Sequence, residues 1–97
     1  MILEIADIRI QPGQQAAFEA ALRDGIANAL SKSKGFIRVN VQHGVETPER
    51  YVLLIEWQTL EDHTEGFRNG PLFPIWRGHI GSFFAAPPAV EHFQTVI

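Results

Sequence analysis

The apolar positions of the chain change period several times, and these changes mark out its elements. Residues 2–10 alternate partly between two faces, which predicts a first strand. From residue 14 to about residue 31 the apolar positions recur at helical spacing, which predicts the longest helix. Residues 36–45 alternate again, and residues 51–57 follow after a turn, so the two stretches are expected to form a hairpin.

The third predicted strand differs from the other strands because it does not alternate. Val52, Leu53, Leu54 and Ile55 are all apolar, so both faces of this strand should be covered. Such a pattern is typical of a central strand.

Two short helices and a last strand are predicted after this central strand. Thr59 can cap the first helix, which ends at Asn69, and Pro71 or Pro74 can start the second. Residues 90–97 are expected to form a strand at an edge of the sheet. The end of the long first helix is assigned to the segment that finishes at Gly35.

The resulting order of elements is β-α-β-β-α-β, with the second helical region in two pieces. This is the order of the ferredoxin-like split βαβ fold, an α+β class with a four-stranded antiparallel sheet and helices on one face. A chain of 97 residues suits one domain, 1–97. Because helices cover only one face, the second apolar face of the central strand needs another cover. A homodimer that packs sheet against sheet would supply it.

The composition excludes several classes of partner and chemistry. The net charge is only −3 and Lys and Arg are not clustered, which argues against nucleic acid and anionic membrane surfaces as partners. The absence of Cys removes disulfides and thiolate chemistry. No apolar run reaches the about 20 residues of a membrane span, and no basic segment precedes the first apolar residues as in a signal peptide. A cytoplasmic location is therefore expected.

His63 is the main candidate for chemistry. Its spacing from Leu60 and Phe67 places it on the inward face of the predicted helix. One interpretation is a structural His that is hydrogen-bonded within the core. The other is a base in a ligand cavity between helix and sheet, because imidazole can accept a proton near neutral pH.

Large aromatic side chains are concentrated in the second half of the chain. A cavity lined by some of them would suit a planar, apolar ligand held by a few polar groups. Asn40 is a candidate polar contact, and His79 is either a second contact or a His near a helix end. The aromatic candidates are Trp57, Phe67, Phe73 and Trp76.

No spacing of titratable residues marks a metal or phosphate site. The sequence has no His-x-x-x-His pair and no glycine-rich phosphate loop, so no metal site is expected. His43 and His92 have no neighbours at a spacing that indicates a site. Glu4 and Glu56 are expected to be neighbours on adjacent strands, although nothing in the pattern marks them as catalytic.

Taken together, several short motifs resemble the antibiotic biosynthesis monooxygenase (ABM) domain. The resemblance extends from Ile2 to about Val96 and implies a dimeric α+β barrel. The motifs are Ile8-x-Ile10-x-Pro12-Gly13 before a helix with Phe18, Gly35-Phe36 at the start of a strand, Glu56-Trp57 followed by Glu61-Asp62-His63, and Gly70-Pro71-Leu72-Phe73.

The resemblance also implies an activity, the oxygenation of polycyclic phenols, anthrones or quinols by O2 without metal, flavin or haem. The protein would bind an acidic aromatic substrate and help to deprotonate it, and the anion would pass an electron to O2. On this resemblance His63 matches the family's helix His and Trp57 matches the aromatic residue at the strand end. Phe67 and Phe73 match helix positions that line the pocket. A cofactor-independent monooxygenase acting on a small or polycyclic aromatic is therefore expected.

Two other functions are compatible with this superfamily fold in general. A haem-degrading branch of the same superfamily uses an Asn in the first strand, a Trp in the helix after the third strand and a His on the next helix. Here the corresponding positions hold Ala6 and Phe67, and His79 lies about two places from the expected His, so haem degradation is not expected. The remaining alternative is a non-catalytic dimeric module for ligand binding or stress response.

Overall fold

The computed structural model describes all 97 residues, Met1–Ile97. Its elements follow the order predicted from the sequence. The strands are β1 (Ile2–Arg9), β2 (Phe36–His43), β3 (Arg50–Trp57) and β4 (Ala89–Phe93). The helices are α1 (Gln15–Asn28), a π-helix (Asp62–Phe67) and α2 (Leu72–Ile80), with short 3₁₀ turns at Leu30–Lys32 and Gly81–Phe83.

The four strands form one antiparallel sheet in the order β2-β3-β1-β4. This confirms the predicted α+β class and its ferredoxin-like topology. Strand β3 is central and β4 lies at an edge, as expected. In the single chain the sheet is open, so it does not close into a barrel.

The two faces of the sheet differ in burial. Along β1 and β3, buried residues alternate with partly exposed ones, because the helices cover only one face. Leu53 and Ile55 point to this covered inner face and are buried, whereas Val52 and Leu54 point to the outer face and stay partly exposed. The doubly apolar pattern of β3 therefore describes one covered and one uncovered apolar face.

Two predicted boundaries are wrong by several residues. Helix α1 ends at Asn28 rather than about Ser31, because Ala29 leaves helical backbone angles and a 3₁₀ turn follows. Strand β4 ends at Phe93 rather than Ile97. Phe93 pairs with Leu3 near the start of β1, so the residues after it have almost no β1 left to pair with.

Gly35 does not end the first helix but shapes the entry to β2. Its φ of +85° lies in the left-handed region that favours glycine. A Cβ atom on Gly35 would stand 2.1 Å from Oδ2 of Asp62, so only glycine allows this close approach. Its carbonyl also accepts a 2.8 Å hydrogen bond from the Gln58 N–H. This contact joins the residue after β3 to the residue before β2.

Thr59 caps the helical segment that leads into the π-helix, as predicted for the helix after β3. The Asp62 N–H donates a 3.1 Å hydrogen bond to Oγ1 of Thr59. The wider turn of a π-helix changes which side chains share a face. His63 and Phe67 are both buried, but Leu60, which was expected to point inward with them, is 39% exposed.

Candidate active site

Glu4 is an acidic residue on the inner face of β1. It lies between Ile2 and Ala6 in the alternating pattern, and it is only 5% exposed. Buried carboxylates need partners, because water no longer solvates their charge. Glu56, the expected neighbour, pairs with Leu3 and points to the outer face, where its carboxylate binds Arg38. The two carboxylates are therefore on opposite faces of the sheet.

Trp57 supplies the first partner of Glu4. Its indole Nε1–H donates a 2.9 Å hydrogen bond to Oε1 of the Glu4 carboxyl. Burial raises the pKa of Glu4 from 4.5 to about 7, while the Trp57 hydrogen bond and the positive charge of Arg68 act in the opposite direction. Glu4 is consequently a carboxyl that can change charge near neutral pH.

His63 is the second partner of Glu4. The π-helix places its ring against the Trp57 indole, with centroids 5.2 Å apart and planes at 21°. Its Nε2 lies 3.3 Å from Oε1 of Glu4, and the residue is 3% exposed. Burial lowers the pKa of His63 from 6.5 to about 4, and the charges of Arg68 and of His92 lower it further. Of the two groups, Glu4 is therefore the stronger base in the folded protein.

His92 extends this pair toward the edge of the sheet. It lies on β4 directly opposite Glu4 in the strand register. Its Nε2 is 2.8 Å from Nδ1 of His63, so one of these nitrogens donates a hydrogen bond to the other. Burial, followed by the charge of Arg68, lowers the pKa of His92.

A cavity of about 200 Å³ lies between the sheet and the helices beside this cluster. Glu4 and His63 form part of its wall. Every fully buried side-chain oxygen has a hydrogen-bond partner in the protein. Oε2 of Glu4 has no such partner, so it is not fully buried and must open onto the cavity that Glu4 lines. The remaining wall is mainly apolar, with two arginines among its residues. It includes Ile55, Phe67, Phe73, Trp76, Arg68 and Arg77.

The structure brings most of the predicted site residues to this cavity. His63, Phe67, Phe73 and Trp76 line it directly. Trp57 is fully buried behind the wall, where it contacts Glu4 and His63 rather than the cavity itself.

Two candidates lie elsewhere. Asn40 is on the outer face of β2, where its side chain accepts a hydrogen bond from Gln42, so the sheet separates it from the cavity. His79 is not part of the cavity wall, because its Cβ faces Gly25 where α2 packs on α1. Neither of these two expected ligand contacts therefore lies in the wall of this cavity.

The cluster is arranged as a line rather than around a common point. Glu4, His63 and His92 contact one another in sequence, and no group of three or more His, Asp or Glu side chains is placed to hold a metal ion. The geometry instead resembles the base-and-orienter arrangements that move protons in enzymes.

The comparisons with known proteins agree with this architecture. The family model for antibiotic biosynthesis monooxygenase matches residues 1–77. The chain belongs to the antibiotic biosynthesis monooxygenase family. The uncharacterized protein YczJ of Bacillus subtilis strain 168 is 41% identical over 96 residues, which cover 99% of this chain and all of YczJ.

Solved structures of ABM proteins have the same fold. The chain superimposes on a Bordetella bronchiseptica protein assigned to this family with a TM-score of 0.93 and 38% identity, covering 99% of this chain and 97% of that one. SnoaB, a cofactor-independent oxygenase from Streptomyces nogalater, gives a TM-score of 0.80 at 15% identity over 97% of this chain and 91% of SnoaB. At that identity the likeness to SnoaB concerns the fold alone. No helix in the structure has the length and apolar character needed to cross a bilayer.

Proposed function

We propose that this ABM protein is a cofactor-independent monooxygenase that oxidises a phenolic or quinol aromatic with O2. The observation that carries the proposal is the Glu4–His63 pair, which opens onto an apolar, aromatic-lined cavity. A buried base beside an apolar cavity suits a substrate that must be deprotonated before it reacts. The resemblance in fold to a cofactor-independent oxygenase supports the same class of chemistry.

The chemistry begins with the transfer of the substrate hydroxyl proton to the Glu4–His63 pair. The resulting aromatic anion gives one electron to O2, and the superoxide and the substrate radical combine to form a carbon–oxygen bond. The peroxide takes back the proton that the pair holds. Loss of the hydrogen on the same carbon together with the outer oxygen then releases water and leaves a carbonyl, so one oxygen atom enters the substrate and the other becomes water.

Positive charge in the wall of the cavity supports the first step. Arg68 and Arg77 both line this cavity, and Glu4 is the only acidic residue in its wall. Positive side chains held near a developing phenolate lower the free energy of the anion. They also oppose protonation of His63, which keeps its imidazole neutral and leaves Glu4 as the proton acceptor of the pair.

The cavity volume limits the size of the substrate. An apolar cavity of about 150 Å³ holds one benzene ring, and sites for drug-sized ligands start at about 300 Å³. A cavity of about 200 Å³ therefore suits one substituted ring or two fused rings. Among the expected substrates, hydroquinones and naphthols fit better than three-ring anthrones.

A homodimer is part of the proposal. Leu3, Ile5, Val52 and Leu54 form an apolar strip on the outer face of the sheet that no element of the chain covers. Packing this strip against the same strip of a second copy would bury it on a two-fold axis and complete an α+β barrel. The active-site cavity lies on the opposite side of the sheet and would stay accessible.

Oxygen-electrode assays with hydroquinone, naphthol and anthrone test this function. We expect O2 uptake with the two smaller compounds, and its loss in His63→Ala. The matched control is His43→Ala, because His43 is exposed and hydrogen-bonds only to the Pro48 carbonyl. Unchanged uptake in a folded His63→Ala variant would remove His63 from the mechanism.

A non-catalytic ligand-binding module is the second candidate, and the contacts of His63 favour it. Its ring stacks on Trp57, and both of its nitrogens lie near protein partners, as in a structural histidine. Such a module would bind naphthol, detected by quenching of tryptophan fluorescence, without consuming O2. Binding with no O2 uptake across the whole panel would therefore select this candidate.

A further inference from the structure

A continuous line of polar atoms leads from the cavity to the edge of the sheet. It starts at the Glu4 carboxyl, continues 3.3 Å to Nε2 of His63, crosses the imidazole to Nδ1, and continues 2.8 Å to Nε2 of His92. The first gap is slightly longer than a usual hydrogen bond. Hydrogen bonds of catalytic groups are often this long in ligand-free structures and shorten when a ligand binds.

The far end of this line reaches solvent. His92 is on the edge strand β4 and is only partly buried. Every fully buried side-chain nitrogen has a hydrogen-bond partner in the protein, whereas Nδ1 of His92 has none. His92 Nδ1 must therefore be accessible to water. The two ends of the line thus open on different spaces, the cavity at Glu4 and the bulk solvent at His92.

We propose that His92 is a proton-relay residue, through which Glu4 exchanges its proton with solvent by way of His63 while a ligand fills the cavity. The catalytic use of this relay rests on the proposed function. A bound aromatic blocks access from the cavity side, so a protonated Glu4 would otherwise stay inactive until the ligand left. The relay lets Glu4 ionise with the substrate in place.

The relay has two states, an acid state and a carboxylate state, which differ by the one proton that is released to water. In the acid state the protons are on Glu4 Oε1, His63 Nδ1 and His92 Nδ1. The Glu4 proton moves to His63 Nε2, the His63 Nδ1 proton moves to His92 Nε2, and the His92 Nδ1 proton leaves to water. In the resulting carboxylate state both imidazoles carry their proton on Nε2, and each donates toward Glu4.

The surrounding charges favour this neutral exchange over the formation of imidazolium ions. Arg68, from the turn after the π-helix, opposes a positive charge on either His63 or His92. Arg77 from α2 adds a second positive group to the wall of the same cavity. Glu4 from β1 is the single acidic group that faces the two rings from inside the fold. Both histidines are therefore expected to switch tautomer and remain uncharged.

Nitrogen NMR of isotopically labelled protein tests the relay without any need for turnover. In the wild type, His63 and His92 should both change from Nε2–H to Nδ1–H in the pH range in which Glu4 takes up a proton. The wild type is also measured with naphthol bound under anaerobic conditions, where the switch should persist. If either ring instead became imidazolium, or kept a single tautomer while Glu4 titrated, the relay would be refuted.

The variant His92→Gln provides the kinetic test, because glutamine can hydrogen-bond to His63 but cannot pass on a proton. With naphthol bound anaerobically, exchange of the His63 ring proton with water should slow at least tenfold, and added imidazole should partly restore it. His43→Gln is the matched control and should leave exchange unchanged. An unchanged exchange rate in His92→Gln would overturn the proposal. A tautomer switch in a protein that consumes no O2 would support the relay and reject the oxygenase function, so the two failures are distinguishable.

Discussion

The Trp57 Nε1–H donates a 2.9 Å hydrogen bond to Oε1 of Glu4, and this contact joins the end of β3 to the start of β1 inside the core. The two residues are not directly opposite, because Trp57 pairs with Ile2 and Glu4 pairs with Ile55. The bond spans a diagonal of the antiparallel ladder, a distance that a large aromatic side chain can reach. The same indole also stacks on His63, so the Trp57 side chain orients both Glu4 and His63, the two residues of the proposed proton-accepting pair.

The variant Trp57→Phe should separate these two roles of the indole. Phenylalanine keeps a ring against His63 but removes the indole donor to Oε1 of Glu4, which costs about 1–3 kcal/mol of unfolding free energy. The loss also removes an interaction that lowers the pKa of Glu4, so that pKa should rise above about 7. Chemical denaturation and carbon NMR of the Glu4 carboxyl measure the two effects.

Trp76→Phe is the matched control for this change. Trp76 is also a buried indole in the cavity wall, but it makes no hydrogen bond to another side chain. Its replacement should leave the pKa of Glu4 unchanged. Equal carboxyl titrations in the two variants would show that the Trp57 hydrogen bond has no electrostatic effect.

The stability of the protein should depend on pH through two opposing groups. Glu4 has a pKa raised from 4.5 to about 7, so its contribution is present below pH 4.5 and is lost as pH rises to about 7. His63 has a pKa lowered from 6.5 to about 4, so its contribution is present above pH 6.5 and is lost as pH falls to about 4. In the wild type the two slopes largely cancel between these values.

Single substitutions should expose each slope. In His63→Gln the Glu4 effect remains, and unfolding free energy should fall by about 3 kcal/mol between pH 4.5 and 7, at about 1.36 kcal/mol per pKa unit. In Glu4→Gln the His63 effect remains, and stability should instead fall as the solution becomes more acidic. Urea unfolding of the three proteins across this range measures the slopes. Parallel curves would contradict the assignment of both groups.

The fold was largely predictable from the sequence because burial imposes a period on each element. The alternation of β2 and the helical spacing of α1 identify these elements, and the apolar run of β3 identifies the central strand. The ends were less predictable. The end of β4, for example, depends on where β1 begins, which is a property of the pairing and not of the β4 residues.

The site was predictable only in part. His63 and the cavity aromatics could be found from helical spacing, but Glu4 and His92 were missed. A signal for Glu4 existed, because it has the same parity as Ala6 and Ile8 and so places a carboxylate on the buried face. No such signal existed for His92, whose proposed role depends on the strand register that places it opposite Glu4, 88 residues earlier in the chain.

Filling the cavity should block ligand binding without unfolding the protein. Ala6 is buried in the cavity wall on β1, and Ala6→Leu would add three carbon atoms to a space of about 200 Å³. We expect the Kd for naphthol to rise at least tenfold, since the extra atoms occupy volume that the ligand needs. Fluorescence titration measures the Kd, because Trp76 lines the same cavity.

Ala16→Leu is the control for the cavity variant, because Ala16 is on the exposed side of α1. It adds the same three carbon atoms away from the cavity and should leave the Kd unchanged. Unaltered naphthol binding in a folded Ala6→Leu protein would show that the ligand binds elsewhere.

We expect that His63 is correctly positioned only if residue 35 is glycine, because only glycine allows the close approach to Asp62. Gly13 and Gly35 have similar positive φ angles, +80° and +85°, but a Cβ on Gly13 would meet nothing within 4 Å. Gly13→Ala should therefore cost only the left-handed strain, about 1–2 kcal/mol. Gly35→Ala should cost at least about 1 kcal/mol more, because the Asp62 side chain and the π-helix must shift.

A double-mutant cycle with Asp62→Ala tests the cause of this difference. The change removes Oδ2 and Cγ, the two atoms nearest to the position of a Cβ on residue 35, and leaves the Asp62 Cβ at 2.7 Å. It should therefore recover part, but not all, of the extra loss, giving a coupling energy of about 0.5–3 kcal/mol. Because His63 follows Asp62 directly, Gly35→Ala should also move the His63 ring away from Glu4. Additive effects of the two substitutions would show that Gly35 is needed only for its backbone angles.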